Sequence, residues 1–214
     1  VACTDVFYIP GTGMPCSVWK MDNTAWSLFG QLEYRINDSL TATLGLAYAD
    51  DSKDVSGDIT IIDAFAALPL EAAGLGALSG LQFFPAFRNY PNADEDGKFD
   101  SDDVTHTLSL AYAMSDNTSI YATHSSGFKA TSVNMTVDAR DVRAADPEDA
   151  TNYEIGLKTT FDNGYINLAY FDQNIEGFQS NAFSGTGFNL VNAGTESHKG
   201  VELDSMLALS ENLM

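Results

Sequence analysis

Polarity alternates residue by residue through residues 24–36. The even positions are Trp26, Leu28, Gly30, Leu32, Tyr34 and Ile36, and the odd ones are Ala25, Ser27, Phe29, Gln31, Glu33 and Arg35. A period of two places successive side chains on opposite faces, so this stretch predicts a strand with one apolar and one largely polar face. After Asn37-Asp38-Ser39 the pattern resumes, with Leu40, Ala42, Leu44, Leu46 and Tyr48 apolar and Thr41, Thr43, Gly45, Ala47 and Ala49 opposite. A three-residue turn pairs Ile36 with Leu40, Tyr34 with Ala42 and Leu28 with Tyr48. Both apolar sets then share one face, as a hairpin requires.

The unit recurs. Leu108, Leu110, Tyr112 and Met114 lead into Ser115-Asp116-Asn117, and Ile120, Ala122 and Phe128 follow on the matching parity. A turn of the same kind pairs Leu108 with His124 and brings His106 within diagonal reach of His124. Tyr153, Ile155, Leu157 and Phe161 are odd, while Ile166, Leu168 and Tyr170 are even. That switch needs an even-length turn, for which Asn163-Gly164 is the favoured type I′ pair. Val201, Leu203, Leu207 and Leu209 make a further strand before Ser210-Glu211-Asn212.

The pattern predicts seven strands of about 10–13 residues, with an eighth missing. Tight turns alternate with long connections over residues 1–23, 51–102, 131–149 and 179–196. Sandwich strands run to about 5–6 residues, so strand length favours an all-β, antiparallel transmembrane β-barrel segment with short periplasmic turns and long extracellular loops. From Trp26 to Tyr34, eight residues at about 3.3 Å and a tilt of about 40° span roughly 20 Å, close to the apolar band of such a barrel. The opposite face carries Gln31, Glu33, Arg35, Asn152, Glu154, Lys158, Glu202 and Asp204. A basic residue facing lipid at the midplane costs about 2–4 kcal/mol, so these side chains face a wet interior or another polar domain.

Composition narrows the partners. The 214 residues hold 10 Lys+Arg against 30 Asp+Glu, a net charge of −20. A chain this acidic excludes nucleic acid as a ligand and argues against docking on anionic headgroups. No run approaches the length of a transmembrane helix, which leaves a barrel untouched because its strands alternate. Val1-Ala2-Cys3-Thr4 has no start Met, basic region or apolar signal core. The other end stops just past a turn, so both ends read as cuts through a longer protein.

Three groups of residues, in order, resemble the TonB-dependent outer-membrane transporters. Ser119-Ile120-Tyr121-Ala122-Thr123 leading to Gly127-Phe128-Lys129 resembles the family's "LYASYSxGFK" strand. Pro147-Glu148 with Asn152-Tyr153-Glu154-Ile155-Gly156-Leu157-Lys158 resembles "PE…NYELGLK". Asn192-Ala193-Gly194 and Lys199-Gly200-Val201-Glu202-Leu203 resemble "NAG…RGVELE". The likeness covers residues 104–214 well and 23–50 more loosely. It implies a barrel of about 22 strands with a plugged lumen. Residues 1–214 would then be a partial receptor barrel domain, with the plug, the TonB-engaging segment and the closing strands outside it. The resemblance further implies TonB-dependent import of a ferric siderophore or similar scarce nutrient across the outer membrane of a Gram-negative bacterium. Its implied partners are the TonB–ExbB–ExbD system through the plug, outer-membrane lipid and lipopolysaccharide, and the nutrient itself. It implies no enzyme and no cofactor, and the matched motifs fix strands and turns rather than ligand positions.

Local chemistry is sparse. Asn92, Asp94, Asp96, Gly97, Phe99, Asp100 and Asp103 follow the spacing of a calcium loop, departing from it with Asn first and Asp last. Asn92, Asp94, Asp96, Asp100 and Asp103 are therefore candidate metal ligands, and the alternative is a solvated acidic loop. Asp138, Asp141, Asp146, Glu148 and Asp149, tempered by Arg140 and Arg143, form a second acidic loop that repels anions at long range. Cys3 and Cys16 enclose a Gly- and Pro-containing stretch that can close as a local disulfide in an oxidising compartment; the alternative is two unrelated thiols. His106, His124 and His198 are too scattered for a metal site and read as interfacial or lumen residues. Phe7-Tyr8-Ile9 with Phe83, Phe84, Phe87 and Tyr90 form either an aromatic vestibule or the packing of a long loop. Residues 62–78, interrupted by Pro69, predict one or two short helices. Two other readings stay open: a small passive barrel or adhesin needing no TonB, and a soluble secreted β-protein binding calcium.

Overall fold

The computed structural model describes residues 14–62, 68–81, 89–135, 142–183 and 188–208. In chain order its strands are β1 (Met14–Arg35), β2 (Leu40–Ile62), β3 (Lys98–Ser115), β4 (Thr118–Lys129), β5 (Ser132–Val133), β6 (Ala144–Ala145), β7 (Glu148–Phe161), β8 (Gly164–Glu176), β9 (Gln179–Phe183), β10 (Phe188–Asn192) and β11 (Glu196–Leu207). Seven of them form one antiparallel sheet in the order β1-β2-β3-β4-β7-β8-β11. It is a meander in which each long strand pairs with the next. The short ribbons β5–β6 and β9–β10 belong to the connections at the other end from the tight turns.

The registers follow from the alternation. Tyr34 pairs with Ala42 and Leu28 with Tyr48, Leu108 with His124, and Leu157 with Leu168. The first turn is held by Asn37, whose Oδ1 accepts from the backbone N–H of Ser39 and of Leu40, both at 2.9 Å. Such a side-chain turn is why Asn is favoured there. Between β3 and β4, Ser115 pairs with Thr118, and a bulge between Ala113 and Ser115 restores the expected register.

Two expectations need correction. The β7–β8 loop is Asp162-Asn163, because Phe161 pairs with Gly164, and no described non-Gly residue has positive φ, which rules out type I′. Glycine is required at position 164 by close approach: a Cβ there would lie 1.9 Å from the Met206 carbonyl oxygen of β11. Strand length is the second correction, since β1, β2 and β3 run to 22, 23 and 18 residues. Strand therefore occupies part of the stretches 1–23 and 51–102 read as loop. Alternation reports only where one face meets lipid; above that band the outward face also turns polar, as at Asp50, Ser52 and Asp54, and the backbone ladder continues unannounced. Within 62–78 the described residues show turns followed by a 3-10 segment, Gly76–Leu81.

The buried apolar residues do not lie in the middle of the sheet. Val55, Tyr90 and Val133 form the cluster, with Trp19, Met21 and Phe99 packed against it. By parity Trp19, Met21, Val55 and Phe99 are on the inward face of the loop-end extensions of β1–β3. Tyr90 adds a bridge to β2, with its N–H donating to the Gly57 carbonyl at 2.8 Å and its carbonyl accepting from Gly57 N–H at 2.9 Å. We call this cluster and the segments it holds the cap.

Candidate functional site

The apolar face can be read as rows across the sheet. One row is Tyr34, Ala42, Leu110, Ala122, Ile155, Tyr170 and Val201; the next toward the loops is Leu32, Leu44, Leu108, His124, Tyr153, Asp172 and Lys199. The second row begins apolar and ends polar, with Lys199 and Asp172 joined at 2.8 Å. The upper edge of the apolar band thus descends across the sheet, from Trp26 on β1 to the row of Tyr34 at β8 and β11. That is eight residues over six strand steps. At about 3.3 Å per residue and about 4.8 Å per strand, the edge makes an angle of about 40° with the strand normal, the tilt of a membrane barrel. Aromatic and imidazole rings follow that edge. Trp26 and Tyr48 meet at 5.2 Å between centroids, His106 and His124 at 4.9 Å, and His124 and Tyr153 at 4.6 Å.

The inward face is hydrogen-bonded and polar. Tyr121 donates its hydroxyl to Glu154, Lys158 Nζ sits 5.1 Å over the Tyr121 ring, and Thr123 donates to Ser109 at 3.0 Å. Asp204 accepts from Asn167 at 3.3 Å and from Tyr165 at 3.4 Å. Three inward rings each lie across a glycine on the neighbouring strand: Tyr121 over Gly156, Phe171 over Gly200 and Trp19 over Gly57. A Cβ at Gly156 would fall 2.4–2.5 Å from Tyr121, and one at Gly57 2.5 Å from Trp19. These glycines leave the space the rings fill, which is the physical content of the glycines in the "NYELGLK" and "RGVELE" resemblances.

The cap joins distant segments through Glu95 and Arg143. The Glu95 carboxylate accepts from the Tyr90 hydroxyl at 2.9 Å and from the backbone N–H of Arg143 and Ala144 at 2.7 and 3.1 Å. Burial first, then the hydrogen bond to Glu95, pushes the Tyr90 hydroxyl well above its ordinary range. Arg143 is buried, its guanidinium 5.0 Å over the Trp19 ring and donating to the Asn134 carbonyl. Asn134 in turn donates to the Phe188 carbonyl at 2.9 Å. Gln179 donates to the carbonyls of Ala130 and Asp146, and Asn192 to those of Asp146 and Gly177. The connections between β4 and β7 and between β8 and β11 are therefore one hydrogen-bonded unit, with the Phe183 and Phe188 rings in tilted contact, 5.4 Å between centroids, and exposed at its tip.

In the acidic loop, Asn92 Oδ1 accepts from Asp94 and Glu95 N–H, Asp96 Oδ1 accepts from Lys98 N–H, and Gly97 has φ +77°. The turn expected of the calcium template is present. Asp100 and Asp103, however, are in β3 on opposite faces, because an odd spacing reverses the side chain; Asp100 accepts from Ser52 across the sheet. The structure does not bring the five together, and among the described residues no three His, Cys, Asp or Glu side chains are grouped to hold a metal. The Cys3–Cys16 pairing lies outside the described side chains, as do Phe7, Tyr8, Ile9, Phe83, Phe84, Phe87, Asp138, Arg140 and Asp141. Of the second acidic loop, Asp146 and Glu148 anchor the β9–β10 ribbon. His106 and His124 meet as the register implies.

Sequence reasoning missed the Glu95–Arg143 junction, which no periodicity marks. It also missed the Phe183–Phe188 tip, for which there was a signal: no charged residue occurs between Glu176 and Glu196 in a chain that is 19% charged.

A meander with one lipid-facing and one hydrated face, tilted strands and structured loops at one end is the wall of a transmembrane β-barrel. Residues 4–212 match the family model described as TonB dependent receptor-like, beta-barrel, and the chain belongs to that family. Among solved structures it is similar to the ferric yersiniabactin uptake receptor FyuA from Yersinia pestis, with TM-score 0.66 and 18% identity over 92% of this chain and 26% of that one. It is also similar to the copper transporter OprC, with TM-score 0.59 and 14% identity over 90% and 28%. The alcaligin outer-membrane receptor FauA from Bordetella pertussis gives TM-score 0.53 and 13% identity over 92% and 29%. At these identities the likeness is one of fold, and the chain spans 26–29% of the length of these structures.

Proposed function

We propose that the receptor containing this chain imports a scarce, bulky nutrient across the outer membrane by TonB-dependent transport, with a ferric siderophore as the favoured class. Membership of the receptor family carries this reading. FyuA is a ferric yersiniabactin uptake receptor and FauA an alcaligin receptor, which accords with the iron-chelate class, while OprC is a copper transporter. In this reading the cap and the Phe183–Phe188 tip meet the ligand first, and the polar inward face of the wall borders its path. The plug, coupled to TonB, ExbB and ExbD, supplies the movement. An acidic chain, with net charge −20, favours neutral or cationic chelates over anionic ones at long range.

The test is uptake of radioactive iron chelates by the host with and without the receptor gene, under iron limitation. Loss of uptake of at least one chelate on deletion, and its collapse on dissipating the proton gradient, are expected. Undiminished uptake of every iron chelate, with a defect confined to cobalamin or an oligosaccharide, would overturn the siderophore class. Uptake insensitive to an uncoupler would point instead to a passive channel.

A further inference from the structure

One cluster on the outward face lies at the edge of the apolar band, where the wall turns from apolar to polar. His106 on β3 and His124 on β4 are half-buried diagonal neighbours, with Nε2 of His106 3.0 Å from Nδ1 of His124. The His106 Nδ1 lies 3.0 Å from Ser126 Oγ, which also accepts the His106 backbone N–H at 3.0 Å. The His124 ring rests on Tyr153. Each imidazole is thus held in place by a partner other than its neighbour, and both are carried on paired strands whose register fixes their spacing.

Two ring nitrogens facing each other at this distance share either the proton of an N–H···N hydrogen bond or, with that proton lost, a metal ion. Two imidazole nitrogens bound to one tetrahedral ion at about 2.0–2.1 Å are about 3.3–3.4 Å apart, so a metal needs an opening of only a few tenths of an ångström. Ser126 completes the arrangement. In the tautomer that binds a metal through Nε2, Ser126 accepts the Nδ1–H of His106, the outer hydrogen bond that metal-binding histidines use to fix their tautomer. We propose that His106 and His124 form a two-imidazole chelate on the outer wall, at the edge of the apolar band, for a borderline divalent cation of the Cu2+ or Zn2+ type. Imidazole suits these ions, whereas Ca2+ and Mg2+ take oxygen ligands. Water fills the remaining positions, because among the described residues no third His, Cys, Asp or Glu joins the pair. The ion ties β3 to β4 and binds reversibly. Its binding does not depend on what the receptor transports.

The test uses the full-length receptor, purified in detergent without a polyhistidine tag and titrated with Cu2+ at pH 7.5. Electron paramagnetic resonance should show one ion with two imidazole nitrogens, and calorimetry should give its affinity. His106→Ala and His124→Ala should each weaken binding at least tenfold and abolish the two-nitrogen signature, while His198→Ala leaves it unchanged. Ser126→Ala should weaken binding by a smaller factor. Acidifying to pH 5 should release the ion, because the ligand is the neutral imidazole. Zn2+ should compete with Cu2+ only in large excess, and Ca2+ should not compete at all. A heat-modifiable electrophoretic shift confirms that each variant is folded. Equal Cu2+ binding by the wild type and the folded double variant, or no binding by the wild type, would overturn the proposal.

Discussion

Leu28 in the wall is 70% exposed and Arg143 in the cap is 1% exposed, the reverse of the order expected in a water-soluble domain. The two regions are built for different solvents. Side chains of the wall contribute little mutual burial: its stability comes from the ladder of strand pairing, and its apolar face is completed by lipid. The cap is organised like a small soluble core, with an apolar cluster, a stacked cation and a carboxylate that satisfies three donors. Damage to the two regions should therefore register in different assays.

The largest effect is expected in the wall. Leu110→Arg places a cation in the apolar band, at a cost of about 2–4 kcal/mol. Its neighbour Ser109 faces inward, and Ser109→Arg should cost less than about 1 kcal/mol. Urea titration of the full-length receptor in phospholipid vesicles measures both, and equal costs would contradict the assignment of faces.

Next comes Glu95→Ala in the cap. It leaves the N–H groups of Arg143 and Ala144 and the Tyr90 hydroxyl without their acceptor, at about 1–3 kcal/mol once water replaces the carboxylate at the more accessible of them. Hydrogen exchange at Arg143 and Ala144 should accelerate at least tenfold, while amides of Leu108 and Leu110 stay protected. Loss of protection in both regions would mean that cap and wall are not separate.

A smaller effect, about 1–3 kcal/mol of overpacking, is expected from Gly156→Ala. Combining it with Tyr121→Ala should recover part of the loss, because the added methyl then meets no ring. A double-mutant cycle showing strict additivity would mean that ring and glycine do not interact.

The smallest concerns alkaline pH. The Tyr90 hydroxyl ionises above its ordinary value in the folded protein, so its protonated form is the one the cap favours. That contribution is full below the unfolded value of about 10 and is lost as pH rises from there through the folded value. Exchange at Ala144, corrected for its intrinsic pH dependence, should rise above pH 10 in the wild type and show no such step in Tyr90→Phe.

The wall is legible in the sequence because a membrane strand obeys a period of two, and a one-residue slip would reverse every face. Hence parity and turn length alone pair Leu28 with Tyr48 and Leu108 with His124. The upper parts of β1 and β2 are not legible, since Asp50, Asp51, Ser52, Lys53 and Asp54 are polar on both faces and alternation is silent there. Nor is the cap, whose contacts link Trp19, Tyr90, Glu95 and Arg143 across long stretches with no common spacing. The calcium template reports the local turn at Gly97 and nothing beyond it; the backbone after Lys98 enters the sheet and takes Asp100 and Asp103 to opposite sides.

The rings lying over Gly156 and Gly200 have a consequence for how far the inward face of the wall projects into the barrel. An aromatic side chain standing off the wall would project by its full length, whereas one laid across the next strand presents only the thickness of its face. Removing a methyl group from one strand thus clears space above another. The glycines act as a gauge on the inner diameter, written into the sequence one strand away from the side chains they keep down.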